Sequence, residues 1–380
     1  MIVQKLKLYN YRNFCEIELD FCDGLNLIVG RNASGKTNIL EAINVALKGK
    51  SFKTNTNSHL IKFGENEARI VMDVYDDGFE DKIDIIIKNN EKILNVNEAF
   101  VNTIKEYNEY FECIVFKPDD LKIVKESKSL RRKFLDESIS GVDNYYRTVL
   151  KQYNQVLDER NKLIKNHRYN SYFNEQLKAL NIQLSDTGSY IMHKRKSYVK
   201  KLQLIAKNVC LNLSDDNDKL DMNNNFSIEY VEDMTDQKNT YYKSLRDSLD
   251  KDLENKQTNL GIHRDDLDIT INDKSAKYFA SQAQVRTAIL SMKLAQLDLS
   301  RFYNDRLPII LLDDVFSELD DYRINYIIRY IKDFQAFLTT SERAPEGLYT
   351  IKIGEWYVFG YWQQQINWWK WDYSYSECFW

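Results

Sequence analysis

A glycine-containing loop near the start of the chain limits the possible folds more than any other feature of the sequence. Residues 30–37 read Gly-Arg-Asn-Ala-Ser-Gly-Lys-Thr, which matches the phosphate-loop pattern GxxxxGK[ST] in full. An apolar run at residues 25–29 precedes the loop, and residues 38–47 have helical spacing. The order strand, loop, helix predicts an α/β domain that binds a nucleoside triphosphate, because a chance glycine-rich turn would not have both neighbours.

Each part of this loop has a predicted contact with ATP. The glycines let the backbone N–H groups approach the β-phosphate, assisted by the positive end of the helix dipole. Lys36 is predicted to neutralise charge on the β- and γ-phosphates, and Thr37 to place its hydroxyl on Mg²⁺. The predicted nucleotide-binding residues of the loop are Gly30, Arg31, Asn32, Ala33, Ser34, Gly35, Lys36 and Thr37.

Two adjacent carboxylates end an apolar strand far along the chain. Residues 308–314 read Pro-Ile-Ile-Leu-Leu-Asp-Asp, the form of a Walker B segment rather than of a simple acidic turn. Asp313 is the predicted Mg²⁺ ligand, and Asp314 is placed to orient or deprotonate the attacking water. Together with Lys36 they are the candidate catalytic residues. Because almost the whole chain separates the two motifs, a large segment must be inserted between the halves of the site.

The sequence pattern between the motifs indicates what is inserted. Residues 130–210 are helically periodic, rich in Lys, Glu and Gln, and free of proline, which predicts a helical arm. Elsewhere strands are predicted, and from residue 261 strands and helices alternate like the second half of an α/β core. The predicted strands lie at residues 2–8, 16–21, 68–74, 82–88, 226–230, 267–271 and 309–312, and the later helices at residues 282–303 and 323–334.

Composition excludes several classes of protein. A net charge of −4 and a pI of about 5.8 exclude a uniformly basic surface, so any nucleic-acid site must be a local patch. The five cysteines are scattered without CxxC spacing, which favours neither a disulfide framework nor a zinc site. No segment approaches the roughly 20 apolar residues that span a bilayer, so we expect a soluble, cytoplasmic protein without a membrane partner.

Further motifs resemble those of one ATPase class. Residues 317–320 (Ser-Glu-Leu-Asp) follow the paired acids as the D-loop does in ABC-type ATPases, and residues 279–287 precede a helix like their signature motif. Within that class the chain resembles the RecF family of bacterial recombinational repair, a relative of the SMC proteins, over about residues 1–341. The segments that carry the resemblance are residues 11–14 (Tyr-Arg-Asn-Phe), 41–43, 116–121, 131–136, 261–267 and 312–320.

The resemblance implies an α/β fold, an ABC-type P-loop ATPase head with an inserted helical arm domain. The head would comprise residues 1–129 and 256–341, and the arm residues 130–255. In such heads the signature of one copy closes on the ATP of another, so Ser281 would contact the partner's γ-phosphate and ATP would cause homodimerisation. Arg12 would reach the phosphates of the nucleotide, and Thr339 or Thr340 would sense the γ-phosphate.

Two alanines depart from the family pattern, which usually has glycine at Ala280 and Ala283. Alanine keeps its N–H group and is more strained than glycine only where the backbone φ is positive. Ala283 therefore keeps open an alternative, a non-hydrolysing module in which ATP only switches shape. A second alternative is the ATPase subunit of a membrane transporter, which the inserted arm and the paired acids Asp313 and Asp314 disfavour.

By resemblance, the function is that of an ATP-dependent DNA-binding repair and replication protein. An ATP-induced dimer with slow ATPase activity would clamp on DNA and help to load RecA at gapped or damaged DNA in the SOS response. The implied cofactors are ATP and Mg²⁺. The implied partners are single-stranded or gapped DNA, a second copy of the chain, RecR and RecO.

Weaker signals have both functional and structural interpretations. Two basic runs are either phosphate contacts or solvated faces, and His263 and Arg264 either approach the nucleotide or fix the strand that follows. Residues 342–380 contain all six tryptophans and resemble nothing in the family, so they are either an aromatic nucleic-acid or partner surface or an altered end. The basic runs are Lys117, Lys122, Lys125, Lys128, Arg131, Arg132 and Lys133, and Lys194, Arg195, Lys196, Lys200 and Lys201.

Overall fold

A computed structural model of the chain divides into two compact units, each with its own hydrophobic core. The first unit joins residues 1–118 to residues 304–380, and the second comprises residues 119–303. The two ends of the sequence therefore build one unit, as the separation of the two motifs predicts. The structure describes residues 1–76, 78–101, 111–167, 170–214, 226–304, 307–340, 349–353 and 360–361.

An antiparallel sheet of six strands forms one layer of the first unit. Its order is β2-β1-β4-β5-β6-β7, and alternate side chains of its strands enter the core, as period-two patterns require. The strands predicted at residues 2–8, 16–21, 68–74 and 82–88 are confirmed. The bounds are β1 (Ile2–Tyr11), β2 (Phe14–Asp20), β4 (Glu67–Asp76), β5 (Phe79–Lys88), β6 (Lys92–Val96) and β7 (Ala99–Phe100).

A second, mainly parallel sheet in this unit brings the two motifs to one edge. Strand β13 (Ala336–Thr340) lies between β3 (Leu25–Gly30) and β12 (Ile309–Asp313) and is parallel to both, so the carboxyl ends of β3 and β12 reach the same edge of the sheet. Ligands of open α/β sheets bind at such an edge. The order is β15-β14-β3-β13-β12-β8, and the remaining bounds are β8 (Cys113–Phe116), β14 (Tyr349–Ile353) and β15 (Gly360–Tyr361).

Strand β14 lies within residues 342–380, the segment whose sequence resembles nothing in the family. It pairs in parallel with β3, and Ile351 and Ile353 are 2% and 7% exposed in the core. Part of this segment therefore completes the sheet that carries the phosphate loop. The six tryptophans lie outside the described residues.

Helix α1 (Lys36–Lys48) follows the phosphate loop and is buried along most of its length. The side chains of Ile39 to Leu47 are all buried, which explains why this helix is more apolar than a surface helix. Gly49 ends the helix in the left-handed conformation, at φ 66°, and its N–H group donates to the carbonyl of Val45. The first unit also contains α10 (Asp321–Tyr330) after the paired acids.

The second unit is mainly helical. The arm predicted at residues 130–210 corresponds to three helices, the last of 41 residues, and no helix in the described part of the chain is long and apolar enough to cross a membrane. The helices are α2 (Leu121–Lys125), α3 (Lys128–Val142), α4 (Asn144–Lys165), α5 (Phe173–Leu213), α6 (Lys238–Asp247), α7 (Leu249–Asn255), α8 (Ala276–Phe279) and α9 (Gln282–Tyr303).

Residues 256–303 belong to this second unit, whereas the sequence analysis assigned them to the head. Strand β10 (Asp266–Ile271) pairs with β9 (Phe226–Val231) and β11 (Lys274–Ser275), not with the parallel sheet. Buried residues of α9 share one apolar cluster with buried residues of α5. Strand and helix alternation along the sequence predicted these elements correctly but could not indicate which sheet the strand joins.

Candidate nucleotide-binding site

The carboxyl edge of the parallel sheet brings the two motifs into direct contact. Thr37 Oγ1 donates a hydrogen bond of 2.8 Å to Asp313 Oδ1. Thr339 Oγ1 donates to the same oxygen at 3.0 Å and accepts from the N–H group of Asp314 at 2.9 Å. The hydroxyl of Thr339, from β13, therefore connects both acids at the end of β12.

The oxygens of Thr37 and Asp313 fit a magnesium ion. Asp313 is 7% exposed, and burial raises the pKa of its carboxyl, while the hydrogen bonds from Thr37 and Thr339 lower it. Mg²⁺ takes oxygen ligands, usually one or two from the protein together with waters and phosphate oxygens. A partly desolvated carboxylate beside a threonine hydroxyl is a donor set of this kind.

The two glycines of the phosphate loop are required by close packing. A Cβ atom on Gly30 would lie 2.6 Å from the carbonyl oxygen of Ile353 and 2.7 Å from Ser34 Oγ. Gly35 has φ 104°, and a Cβ atom there would lie 2.6 Å from the ring of Phe14. A side chain at Gly30 would collide with the backbone of β14, and one at Gly35 would be strained by the positive φ as well as displacing the side chains of Phe14 and Asn13.

One buried polar atom of the loop lacks a partner within the described residues. Ser34 Oγ is buried and makes no hydrogen bond there. Buried hydroxyls are normally satisfied, so this atom indicates a polar ligand that completes the loop. Because Ser34 lines the cleft, an oxygen of a phosphate group bound there would give this hydroxyl its acceptor.

Lys36 and Asp314 both line the cleft of the site. Lys36 Nζ donates to the carbonyl oxygens of Gly30 and Arg31, at 2.7 and 3.0 Å. Burial lowers the pKa of Lys36, and the charges of Asp314 and Asp313 raise it. Asp314 is exposed and has φ 53°, a conformation that costs energy outside glycine and often marks functional positions. The residues that line the cleft are Asn32, Ala33, Ser34, Gly35, Lys36, Thr37, Asn38, Lys53, Asp314 and Thr339.

Arg12 does not line this cleft, although the resemblance assigns it to the phosphates. Its guanidinium forms two hydrogen bonds with the carboxylate of Glu41 on α1, from Nε at 2.8 Å and from Nη2 at 2.6 Å. Glu41 is fully buried and the Arg12 side chain is 21% exposed, so the pair is largely shielded from water.

Sequence reasoning missed two polar residues that line the cleft, Asn38 and Lys53, and a third, Asn13, that contacts Asn38 and the backbone of the loop. Asn13 donates from Nδ2 to the carbonyl of Ser34 at 3.1 Å, and its Oδ1 accepts from Asn38 at 2.8 Å. Lys53 donates to Asn38 Oδ1 at 3.1 Å. Asn13 lies in the motif at residues 11–14, which was a usable signal. Nothing local to Lys53 indicates its place, because folding alone brings its loop to the cleft.

Ser281 lies in the second unit and caps α9. Its N–H group donates to Gln284 Oε1 at 2.9 Å, and its Oγ accepts from the N–H group of Gln284 at 3.2 Å, which is a reciprocal capping box. Ala280 has φ −74°, and Ala283 is helical and not among the residues with positive φ. Neither alanine therefore has the backbone conformation that would require glycine.

The segment after the acids also ends in a helix cap. Asp320 accepts a hydrogen bond of 2.9 Å from the N–H group of Arg323 at the start of α10. Ser317 Oγ donates to the carbonyl of Asp314 at 3.0 Å. This turn therefore fixes the backbone that follows the paired acids.

Six of the twelve residues in the two basic runs form ion pairs with carboxylates of the second unit. Arg195 is 2% exposed and pairs with Asp136 and Asp265, and Arg131 pairs with Asp266 at 2.7 Å. Such buried cations hold the second unit together and are not available to DNA phosphates. Further pairs join Lys122 to Asp119, Lys128 to Asp266, Lys194 to Asp143, and Lys196 to Glu232 and Asp236.

His263 has the structural position that was one of its two interpretations. Its Nδ1 lies 2.8 Å from the hydroxyl of Tyr153, and its Nε2 lies 3.1 Å from the carbonyl of Thr258. Burial lowers the pKa of His263 to about 4, so the ring is neutral at physiological pH. Arg264, the next residue, is exposed.

Comparisons with known proteins agree on one family. A family model described as AAA domain matches residues 5–323. The DNA replication and repair protein RecF of Clostridium novyi (strain NT) is 38% identical over 340 residues, which cover 89% of this chain and 92% of that protein. A solved structure described as the recombination mediator protein RecF-ATP in the RecFOR pathway is 33% identical, with a TM-score of 0.85, and covers 95% of this chain and 97% of its own.

A more distant structure shows the wider fold class. The Smc head domain of Pyrococcus furiosus, bound to the C-terminal domain of ScpA, is 17% identical with a TM-score of 0.52. The match covers 90% of each chain. At this identity the likeness concerns the fold alone, an α/β ATPase head of the ABC type.

Proposed function

The chain belongs to the RecF family of DNA replication and repair proteins, and from this premise we propose that it is an ATP-dependent DNA-binding repair protein. Two copies clamp on DNA when ATP joins them, and hydrolysis releases the clamp. The hydrogen bond between Thr37 and Asp313 carries this proposal, because it assembles the phosphate loop and the acids into one site. The relative solved with ATP supports the same ligand for this chain.

The roles of the residues follow from their chemistry. Gly30 to Thr37 would hold the phosphates through backbone N–H groups, and Lys36 would neutralise their charge. Thr37 and Asp313 would hold Mg²⁺, which supplies positive charge at the γ-phosphate. Asp314, exposed in the cleft, would orient the attacking water and accept its proton.

Dimerisation supplies the missing side of the site. The exposed first turn of α9, capped by Ser281, would bind the γ-phosphate held by the partner subunit, as anions bind at helix N-termini. Loss of the γ-phosphate removes this bridge, so hydrolysis opens the dimer. We therefore propose a slow ATPase in which ATP binding closes the dimer and the rate of hydrolysis sets how long it stays closed.

The partners and location extend the same proposal. Single-stranded or gapped DNA is the proposed nucleic-acid partner, and RecR and RecO are the proposed protein partners, in keeping with the RecFOR pathway named for the relative. The cellular role is to help load RecA at gapped or damaged DNA during the SOS response, in the cytoplasm. Family membership sets aside the transporter subunit as an alternative.

The proposal is tested by measuring mass and DNA binding together. Light scattering with Mg²⁺ and ATP should give a dimer, and without nucleotide a monomer, while Lys36→Ala should remain monomeric under both conditions. Titration of single-stranded, duplex and gapped DNA should show tighter binding with ATP than without it. A Lys36→Ala protein that dimerises normally with ATP would exclude the clamp mechanism.

A second candidate function is a binding module that does not hydrolyse ATP. Ala283 favours it, because its methyl group lies on the exposed first turn of α9, where the family usually has glycine. In this case ATP would still close the dimer, but release would follow nucleotide exchange. ATP turnover with and without DNA separates the two functions.

A further inference from the structure

A second lysine enters the nucleotide cleft from the loop that follows α1. Of the described residues that line the cleft, Lys36 and Lys53 are the cationic ones. Lys53 Nζ donates a hydrogen bond of 3.1 Å to Oδ1 of Asn38, the residue that follows the phosphate loop in the sequence. The residue as a whole is exposed, yet burial of the ammonium lowers the pKa of Lys53, and the charges of Glu41 and Asp313 raise it.

The backbone of this lysine is held by Ser51. Ser51 is buried, and its Oγ accepts hydrogen bonds from the N–H groups of Lys53 at 2.9 Å and Thr54 at 3.0 Å. The same hydroxyl donates to Glu41 Oε1 at 2.5 Å. Ser51 therefore connects the loop of Lys53 to the fully buried carboxylate on α1.

Arg12 completes this chain of contacts. Its guanidinium binds both oxygens of Glu41 and is the cation in direct hydrogen-bonded contact with this buried carboxylate. The contacts therefore run from Arg12 through Glu41 and Ser51 to the backbone of Lys53. This path explains why Arg12 does not itself line the cleft.

We propose that Lys53 contacts the triphosphate of ATP and that Arg12 is a positioning residue, which acts on Lys53 through Glu41 and Ser51. The inference rests on the proposed nucleotide function and adds a cation that neither motif supplies. Its physical basis is charge: the triphosphate is strongly anionic, and the Lys53 ammonium already lies at the wall of the cleft, where it can neutralise part of that charge.

Direct nucleotide binding tests the role of Lys53. Titration of the full chain with a fluorescent ATP analogue and Mg²⁺ should show roughly tenfold weaker binding for Lys53→Met, the loss expected for one charge-assisted hydrogen bond. Lys53→Arg should restore most of the affinity, since it keeps the charge. Lys82→Met, which removes an exposed lysine on β5, is the matched control and should bind like the wild type.

The outcomes for this contact and for the wider function are separable. Wild-type affinity in Lys53→Met together with lost binding in Lys36→Ala would overturn the Lys53 contact and leave the nucleotide site intact. Normal binding in both variants would overturn the two proposals together.

A double-mutant cycle tests the path through Ser51. Ser51→Ala removes the hydroxyl that joins Glu41 to the Lys53 loop and should weaken ATP binding several-fold in the wild type, an effect of about 1 kcal/mol or less. In the Lys53→Met background it should change affinity little, because the positioned group is absent. Equal losses in both backgrounds would overturn the positioning role. Melting temperatures without nucleotide verify that each variant is folded.

Discussion

The hydroxyl of Thr37 donates a hydrogen bond of 2.8 Å to Oδ1 of Asp313, although 276 positions separate the two residues in the chain. The contact exists because β13 lies between β3 and β12 and aligns their carboxyl ends. Residues 119–303, which form the second unit, lie between the two motifs in the sequence but contribute no strand to this sheet in the described part of the chain. Predictions about nucleotide, metal and stability follow from the same contact and from the buried ion pairs of the second unit.

Asp313→Asn should stabilise the protein without nucleotide while it weakens Mg²⁺-dependent ATP binding. Because burial raises the pKa of Asp313, the folded state retains the proton to higher pH than the unfolded state does. The proton on Asp313 therefore stabilises the folded state at low pH, and this stabilisation is lost as pH rises through the folded pKa. Urea unfolding at pH 7 should give a higher free energy of unfolding for the variant, and addition of Mg²⁺ and ATP should reverse the order. A less stable variant at pH 7 would contradict the burial argument.

Asp314→Asn should keep ATP binding and slow turnover by about 100-fold or more, the usual contribution of a general base. The amide keeps the size of the side chain but cannot take up a proton from water. Size measurements with ATP should show a dimer that persists after the wild type has dissociated. Unchanged turnover would remove Asp314 from the catalytic residues.

Ala283→Gly should change ATP turnover by less than about tenfold, because the helical backbone there does not require glycine. Glycine in the first turn of α9 should lower stability by about 1 kcal/mol at most. Steady-state hydrolysis is measured with and without DNA for both proteins. Hydrolysis that is absent in the wild type and gained in the variant would favour the non-hydrolysing module.

Arg195→Leu should lower the free energy of unfolding by about 3–5 kcal/mol, the typical cost of breaking a buried ion pair. The substitution leaves the carboxylates of Asp136 and Asp265 without their common cation. Arg246→Leu, which removes an exposed arginine paired with its neighbour Asp247, is the control and should change stability by less than about 0.5 kcal/mol. Equal effects of the two substitutions in urea unfolding would contradict the structural role.

His263→Gln should make stability less dependent on pH between pH 7 and pH 5. The folded pKa of about 4 lies below the ordinary histidine pKa of about 6.5, so as pH falls the unfolded chain takes up a proton that the folded chain excludes. The wild type should therefore lose about 2 kcal/mol more than the variant over this range. Parallel stability curves for the two proteins would show that the ring is not buried in its neutral form.

Several expectations from the sequence depended on local chemistry and agree with the structure. The helix at residues 282–303 is confirmed in full, β1 lies where alternation predicts a strand, and β3 lies where the apolar run before the phosphate loop predicts one. Hydrophobic periodicity and turn residues depend only on neighbouring residues, so they predict helices and strands without knowledge of the fold. The unit to which residues 256–303 belong is not local, because it depends on which sheet β10 joins.

The sequence alone predicted a phosphate-binding loop of eight residues and placed paired acids at the end of a distant strand. Both are contiguous motifs whose chemistry is complete within a few residues. Tertiary structure decided that Arg12 binds Glu41, that six of the twelve residues in the basic runs form ion pairs, and that Lys53 reaches the cleft. The physical reason is that the effect of a charge depends on which groups folding brings within a few ångströms of it, and sequence distance does not measure that separation.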